Sequence, residues 1–213
     1  MSFIERINSL HLDVLKEVGN IGAAHAATAL SGILNQKIEM SVPNVRIVSF
    51  DQMMELAGGP ENVVASVFLR LEGDVTGSMF FILSLPAATY FIQRMIGNDS
   101  FAFESQSPHS EMSLSCLQEL GNILSGSYLS SLSDFTNLHL YPSVPSLTID
   151  MVGATISFGL LELSQVSDYA MVIDTVLEKK GDGSGAMNGH FFLLPDPDSF
   201  AVIFNSLGVA SDG

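Results

Sequence analysis

Two pairs of polar residues carry the chemistry this sequence can offer: Glu17 with Asn20, and Glu119 with Asn122. Each joins a carboxylate to a neutral carboxamide, a group that accepts one hydrogen bond while donating another. Such a pair supplies hydrogen bonds and one negative charge but no nucleophile and no metal ligand set, so turnover of small esters is not expected of it. Both pairs belong to one longer pattern. Asp13, Glu17 and Asn20 follow the spacing D-x-x-x-E-x-x-N and Pro43 comes 22 intervening residues later; Ser115, Glu119, Asn122 and Pro145 repeat this, each displaced by 102 positions. Neighbouring letters agree too, with Glu-Val-Gly-Asn at 17–20 returning as Glu-Leu-Gly-Asn at 119–122, and Ser-Val-Pro at 41–43 returning at 143–145.

The elements that must position these residues follow from the spacing. At about 100° per residue, positions i, i+4 and i+7 fall within roughly 60° of one another, so each acidic or hydroxyl residue, its Glu and its Asn share one helix face. Leu12, Leu15, Val18 and Gly22 lie opposite in the first helix, and Leu117, Leu120 and Leu124 in the second. The polar stripes are therefore expected to face outward, with Asn20 and Asn122 both exposed and either Asn→Ala change costing no more than about 0.5 kcal/mol of stability. Gly19 and Gly121, beside the two Asn residues, are read as places where another protein's backbone can come close.

Each half reads as a long helix, an extended segment through the proline, a short helix, two strands and a closing helix. In the first half these are a helix from about His11 to Leu34, an extended run Lys37 to Phe50 with Pro43 at an edge or break, a helix Asp51 to Gly58, strands Val63 to Leu71 and Ser78 to Ser84, and a helix from Pro86 to Gly97. The linker from Asn98 to Pro108 is polar, with Phe101 and Phe103 expected to pin it. The second half runs from Glu111: a long helix to about Ser133, an extended segment around Pro145, a helix Asp150 to Leu163, strands Tyr169 to Leu177 and His190 to Leu194, and a last helix from Pro197. Aligning Phe80-Phe81, Pro86 and Gly97 with Phe191-Phe192, Pro197 and Gly208 gives an offset of 111, which implies about nine extra residues after Pro145. The helix after Asp150 and the loop Lys179 to Asn188, with Gly181 to Gly185 as a hairpin loop within it, are expected to absorb them. The sum is an α/β protein of the α+β type: a pseudo-twofold internal repeat, approximately 1–97 and 109–209, in one domain spanning 1–213, with a six-stranded mostly antiparallel sheet and two long surface helices. Ala23, Ala24, Ala26, Ala27 and Ala29 would let the first long helix lie close to its neighbour.

Composition bounds the rest. With 213 residues and 47% apolar content the chain can bury a real core, and its lone cysteine, Cys116, leaves no internal disulfide. No leader and no apolar run long enough to cross a bilayer is read, so a cytoplasmic location is the expectation. Eight Lys plus Arg against 23 Asp plus Glu, a net charge of −15, argue against nucleic acid as a partner and against free anionic metabolites. Gly-Asn-Ile-Gly-Ala-Ala at 19–24 has no preceding strand and no P-loop lysine, so a nucleotide site is set aside. His11, His25, His109, His139 and His190 show no ligand spacing, and no metal site is expected. Cys116 has none of the basic neighbours that lower a thiol pKa and reads as packing.

At the double motif the sequence resembles the CheC–FliY–CheX family of chemotaxis phosphatases, in the form that carries two motif copies in about 210 residues. The family pattern is [DS]-x-x-x-E-x-x-N followed by 22 residues and a proline, and neither copy departs from it. The resemblance implies dephosphorylation of phosphorylated CheY, the chemotaxis response regulator. Asn20 and Asn122 would then hold a water in line with the aspartyl phosphate, Glu17 and Glu119 would pair with the regulator's lysine, and the Mg2+ would be the regulator's own, with no cofactor bound by this chain. Asp13, Pro43, Ser115 and Pro145 would support the helix and its flanking strand. The resemblance also implies a second partner, the receptor deamidase CheD, associated with Asp150, Val152, Gly153 and Ala154. A non-catalytic adaptor that sequesters the phosphorylated regulator or modulates CheD stays open beside the enzyme, as does a single working copy.

Overall fold

Asn8 starts the first long helix, α1 (Ser9–Leu34), by a reciprocal cap: its side chain accepts from the His11 N–H and the His11 ring accepts from its own N–H. The helix stops at Asn35, which takes the left-handed conformation with φ 49°. β1 (Ile38–Ser41) and β2 (Val45–Ser49) follow, then α2 (Phe50–Leu56), β3 (Val63–Gly73), β4 (Gly77–Ser84) and α3 (Leu85–Ile96). The second half repeats the order with α4 (Glu111–Thr136), β5 (Leu140–Pro142), β6 (Ser146–Met151), α5 (Val152–Glu162), β7 (Tyr169–Lys179), β8 (Met187–Pro195) and α6 (Pro197–Ser206). This computed structural model describes residues 7–103, 111–162, 169–179 and 187–208. Of the expected Lys179–Asn188 loop, Lys179 ends β7 and Met187 and Asn188 begin β8, while Gly181–Gly185 lies outside the described residues. Phe101 and Phe103 are buried against each other and anchor the start of the linker, as expected.

The strand order is β1-β7-β8-β4-β3-β5, with β2 continuing the β1 edge along β7 and β6 continuing the β5 edge along β3. The sheet is thus six positions wide, as expected, but each edge is broken into two short strands at its proline, which cannot donate to the ladder. The edges are exchanged: the first half's β1 and β2 pair with β7, and the second half's β5 and β6 pair with β3.

The register shows which residues correspond. Val67 faces Phe81 in the β3–β4 hairpin and Ile173 faces Phe191 in the β7–β8 hairpin, while Val45 faces Ile173 and Leu147 faces Val67 at the two edges. The hairpins join through β4 and β8, where Phe81 faces Phe191 with ring centroids 4.8 Å apart. Phe81 therefore corresponds to Phe191 across the pseudo-twofold, and the expected match of Phe80 to Phe191 is one residue out. In a strand that slip would exchange the two faces of the sheet, and the Phe-Phe doublets conceal it in the letters. α5, with 11 residues against 7 in α2, accounts for part of the extra length of the second half.

α1 and α4 lie side by side on one face of the sheet. Leu15, Val18, Leu117, Leu120 and Leu124 enter the main core with Phe81 and Phe191. The helices meet closely at Gly22, where a Cβ would stand 3.0 Å from the Tyr128 Cα. Ala23, Ala26 and Ala27 are buried, whereas Ala24 and Ala29 face outward, so only three of the five alanines are on the packed side of the helix. The other face carries Met53 of α2 and Val152 and Ile156 of α5 against Phe80 and Phe192. Asp150 belongs to β6, opposite Val64, so the helix expected from Asp150 begins two residues later.

Tyr128 is buried and shares a 3.0 Å hydrogen bond with the Thr175 hydroxyl; burial, only partly offset by that bond, pushes its phenol up to about 12 from 10.0. A raised folded-state pKa means that the neutral phenol stabilises the fold fully below pH 10 and that this stability is lost as pH climbs toward 12. An alkaline titration followed at the phenolate absorbance is expected to show one tyrosine that ionises late, together with unfolding, and a Tyr128→Phe variant that lacks this late step.

Candidate functional site

The first motif stands in the N-terminal half of α1, between the Asn8 cap and the helix midpoint. Asp13 and Glu17 are exposed, and the Glu17 carboxylate makes no side-chain contact with a cation among the described residues. Asn20 departs from expectation. It is half-buried, its Oδ1 accepts from the Val42 N–H at 2.9 Å, and its Nδ2 donates to the Val42 carbonyl at 3.2 Å and to the Lys16 carbonyl at 3.0 Å. Val42, between β1 and β2, tucks its side chain beneath α1 beside Gly19. The carboxamide thus satisfies both backbone groups of a residue that has left the sheet ladder just before Pro43. Asn20→Ala is accordingly expected to cost about 1–3 kcal/mol, since the Val42 groups lose their partners, more than the small surface cost the stripe pattern suggests. Urea unfolding of Asn20→Ala beside Asn122→Ala measures the difference.

The second motif, on α4, is open. Ser115, Glu119 and Asn122 are all exposed, and neither Glu119 nor Asn122 has a side-chain hydrogen bond or ion pair among the described residues. The loop beside it takes another path. Ser143 bonds to the sheet, its N–H donating to the Arg70 carbonyl at 2.8 Å and its Oγ accepting from the Arg70 N–H at 2.9 Å, as its counterpart Ser41 pairs with Val176 at the end of β1, so the paths part only at the next residue. Val144, the counterpart of Val42, is turned out to solvent, and Gln118 of α4 holds the loop by donating from Nε2 to the Pro145 carbonyl at 2.9 Å. Lys16 occupies the Gln118 position in the first copy, so the two identical Ser-Val-Pro segments are tied to their helices by different residues.

Gly19 and Gly121 are both buried, which overturns their reading as an approach for another protein's backbone. A Cβ on Gly19 would meet Val42 at 3.4 Å, and one on Gly121 would stand 2.6 Å from Val67 Cγ1. They admit the sheet, not a partner. Cys116 is half-buried and burial raises its thiol pKa, in keeping with its reading as packing. Among the described residues no group of His, Cys, Asp and Glu is placed to hold a metal ion, and no helix is long and apolar enough to cross a membrane. His190 instead pairs with Asp174, which also takes Arg46 at 2.6 Å. Of the residues associated with a second partner, Asp150 and Ala154 are exposed, Gly153 donates its N–H to the Pro60 carbonyl, and Val152 is fully buried and cannot be a contact.

These two helix-to-edge segments are the parts of the chain that match the profile of the CheC-like family, over residues 10–47 and 112–149. Along 210 residues, 99% of this chain and 100% of the relative, it is 49% identical to the CheY-P phosphatase CheC of Bacillus subtilis (strain 168). The chain belongs to the CheC-like family. The flagellar motor switch phosphatase FliY of the same organism is 30% identical over 130 residues, 61% of this chain and 33% of that protein. The fold is shared with Thermotoga maritima FliY, at a TM-score of 0.70 and 20% identity over 95% of this chain and 98% of that one. It is shared more loosely with a structure of the CheX-CheY-BeF3-Mg+2 complex from Borrelia burgdorferi, at a TM-score of 0.50 and 17% identity over 82% and 96%. Within the family's two-copy layout, then, this chain presents one open Glu–Asn pair and one whose Asn is clamped.

Proposed function

We propose that this chain is a phosphatase of the phosphorylated chemotaxis response regulator CheY, and that Glu119 and Asn122 form its principal site. The observation that carries this is the free carboxamide of Asn122 beside the free carboxylate of Glu119, both exposed on one face of a rigid helix. An acyl phosphate is already activated, so an oriented water is the missing part: Asn122 accepts from that water while donating to a phosphoryl oxygen, and a carboxylate in its place would repel the phosphate. Glu119 anchors the regulator through a charge-assisted hydrogen bond to its lysine. Asn20 and Glu17 form a second site of the same design, available once the carboxamide leaves Val42. Ser115, Asp13 and the two prolines set the helix faces and the edge breaks. The whole of 1–213 acts as one domain of two repeats in the cytoplasm, and CheD is a further partner reached through the exposed Asp150 and Ala154.

The test is decay of phosphorylated regulator with and without the chain. Acceleration is expected only with Mg2+ present, because the ion is the regulator's, and a chromogenic phosphate ester should be left almost untouched. Equal turnover of the ester, or decay unchanged by an excess of the chain, would remove the phosphatase reading and leave the adaptor. A Glu119→Ala variant should weaken regulator binding as well as rate.

A further inference from the structure

Resting on that reading, we propose that Val144 and Met112 are apolar docking contacts that seat the regulator over Glu119 and Asn122. Single exposed apolar side chains are ordinary on protein surfaces, and what sets these two apart is where they stand. Val144 is 86% exposed, whereas Val42, the same letter in the same Ser-Val-Pro segment, is 1% exposed. Its exposure is held in place: Ser143 is bonded twice to Arg70 on one side, and Pro145 takes the Gln118 side chain on the other. Gln118 adjoins Glu119 on α4, so the loop carrying Val144 is fastened to the helix that bears the free pair.

Met112 supplies the other edge. It is 65% exposed, three residues before Ser115, and Leu10, the equivalent residue three before Asp13, is 57% exposed. Positions i, i+3, i+7 and i+10 fall within about 80° on a helix, so each stripe begins with a solvent-facing apolar side chain. Repetition at the same position in both copies marks it as part of the surface the motif uses. The second copy therefore presents one exposed apolar side chain on the helix that bears its carboxylate and carboxamide and another on the loop fastened to that helix; of the first copy's counterparts only Leu10 is exposed. A partner that fits presents a cation to Glu119, apolar surface to Val144 and Met112, and its reacting group between them. An apolar rim of this kind excludes water from the polar contacts at its centre.

Steady-state hydrolysis of phosphorylated regulator tests this with Val144→Asp, Met112→Ser and the conservative Val144→Ile. Val144→Asp should raise KM about tenfold with kcat unchanged, as expected for losing the burial of one valine on docking. Met112→Ser should shift KM in the same direction, and Val144→Ile should restore the parent value. In an Asn122→Ala background, where only the first copy turns over, Val144→Asp should have no effect. Both residues are exposed, so thermal midpoints are expected to stay at the parent value and a folding defect is visible if present. Unchanged KM, a fall in kcat alone, the same effect with Asn122 absent, or a change in the chain's own sedimentation would each overturn the docking role while leaving parent activity intact. A parent chain without activity would overturn both proposals.

Discussion

Asn122→Ala is expected to remove most of the chain's hydrolysis of phosphorylated regulator, Asn20→Ala a smaller share, and the double variant about a hundredfold or more, the loss typical when a preorganised hydrogen-bonding group is deleted. The asymmetry comes from the resting structure. Asn122 is free, whereas Asn20 must first surrender its bonds to Val42. Leaving that backbone N–H and carbonyl unpaired costs about 1–3 kcal/mol, which lowers the fraction of the first site that is ready by about fivefold to a hundredfold. Binding should behave differently from rate. With beryllofluoride-activated regulator, both single variants should keep near-parent affinity, because the amide acts on the water and the carboxylate on the docking cation. Equal losses for the two single variants would show that the clamp does not limit the first site. A double variant that still works at the parent rate would move catalysis away from both pairs.

Gly121→Ala is expected to destabilise the fold by about 1–3 kcal/mol, the usual range for forcing a methyl group into a packed contact. The new Cβ would stand 2.6, 2.7 and 2.9 Å from Val67 Cγ1, Cγ2 and Cβ, and Val67 is buried in the second strand from the edge, paired with both β4 and β6. Neither α4 nor the sheet can move without disturbing Leu117, Leu120 and Leu124. Gly19→Ala, its counterpart, meets Val42 at an ordinary 3.4 Å and gains up to about 1 kcal/mol of helix propensity, so it should be neutral or stabilising. Urea midpoints of the two variants should fall on opposite sides of the parent or nearly so. The same displacement should carry over to function, because lifting α4 off Val67 moves Asn122 with it. A Gly121→Ala variant as stable as the parent would show that the helix sits higher on the sheet than these distances require.

Much of the site was already legible in the amino-acid sequence, because helical periodicity is local. The phase that puts Asp13, Glu17 and Asn20 on one face, and Ser115, Glu119 and Asn122 on another, follows from spacing alone, as do the Leu stripes beneath them, and Pro43 by itself marks an edge or a break. Tertiary structure decided what each of those residues then meets. Two Asn residues with the same letters around them differ because one finds the Val42 backbone and the other finds solvent: the serine before each valine sits on the sheet, but Val42 turns inward under its helix whereas Val144 turns out, with Gln118 holding Pro145 in place of the Asn. Gly19 and Gly121 face the core because the helices lie flat on β-strands that come from far along the chain. Phe81 corresponds to Phe191 because hairpin register, which letters do not encode when both neighbours are Phe, sets which face of the sheet each ring occupies. Short-range spacing specifies a helix face; only the partners brought in from distant strands determine whether a side chain on that face is free to act.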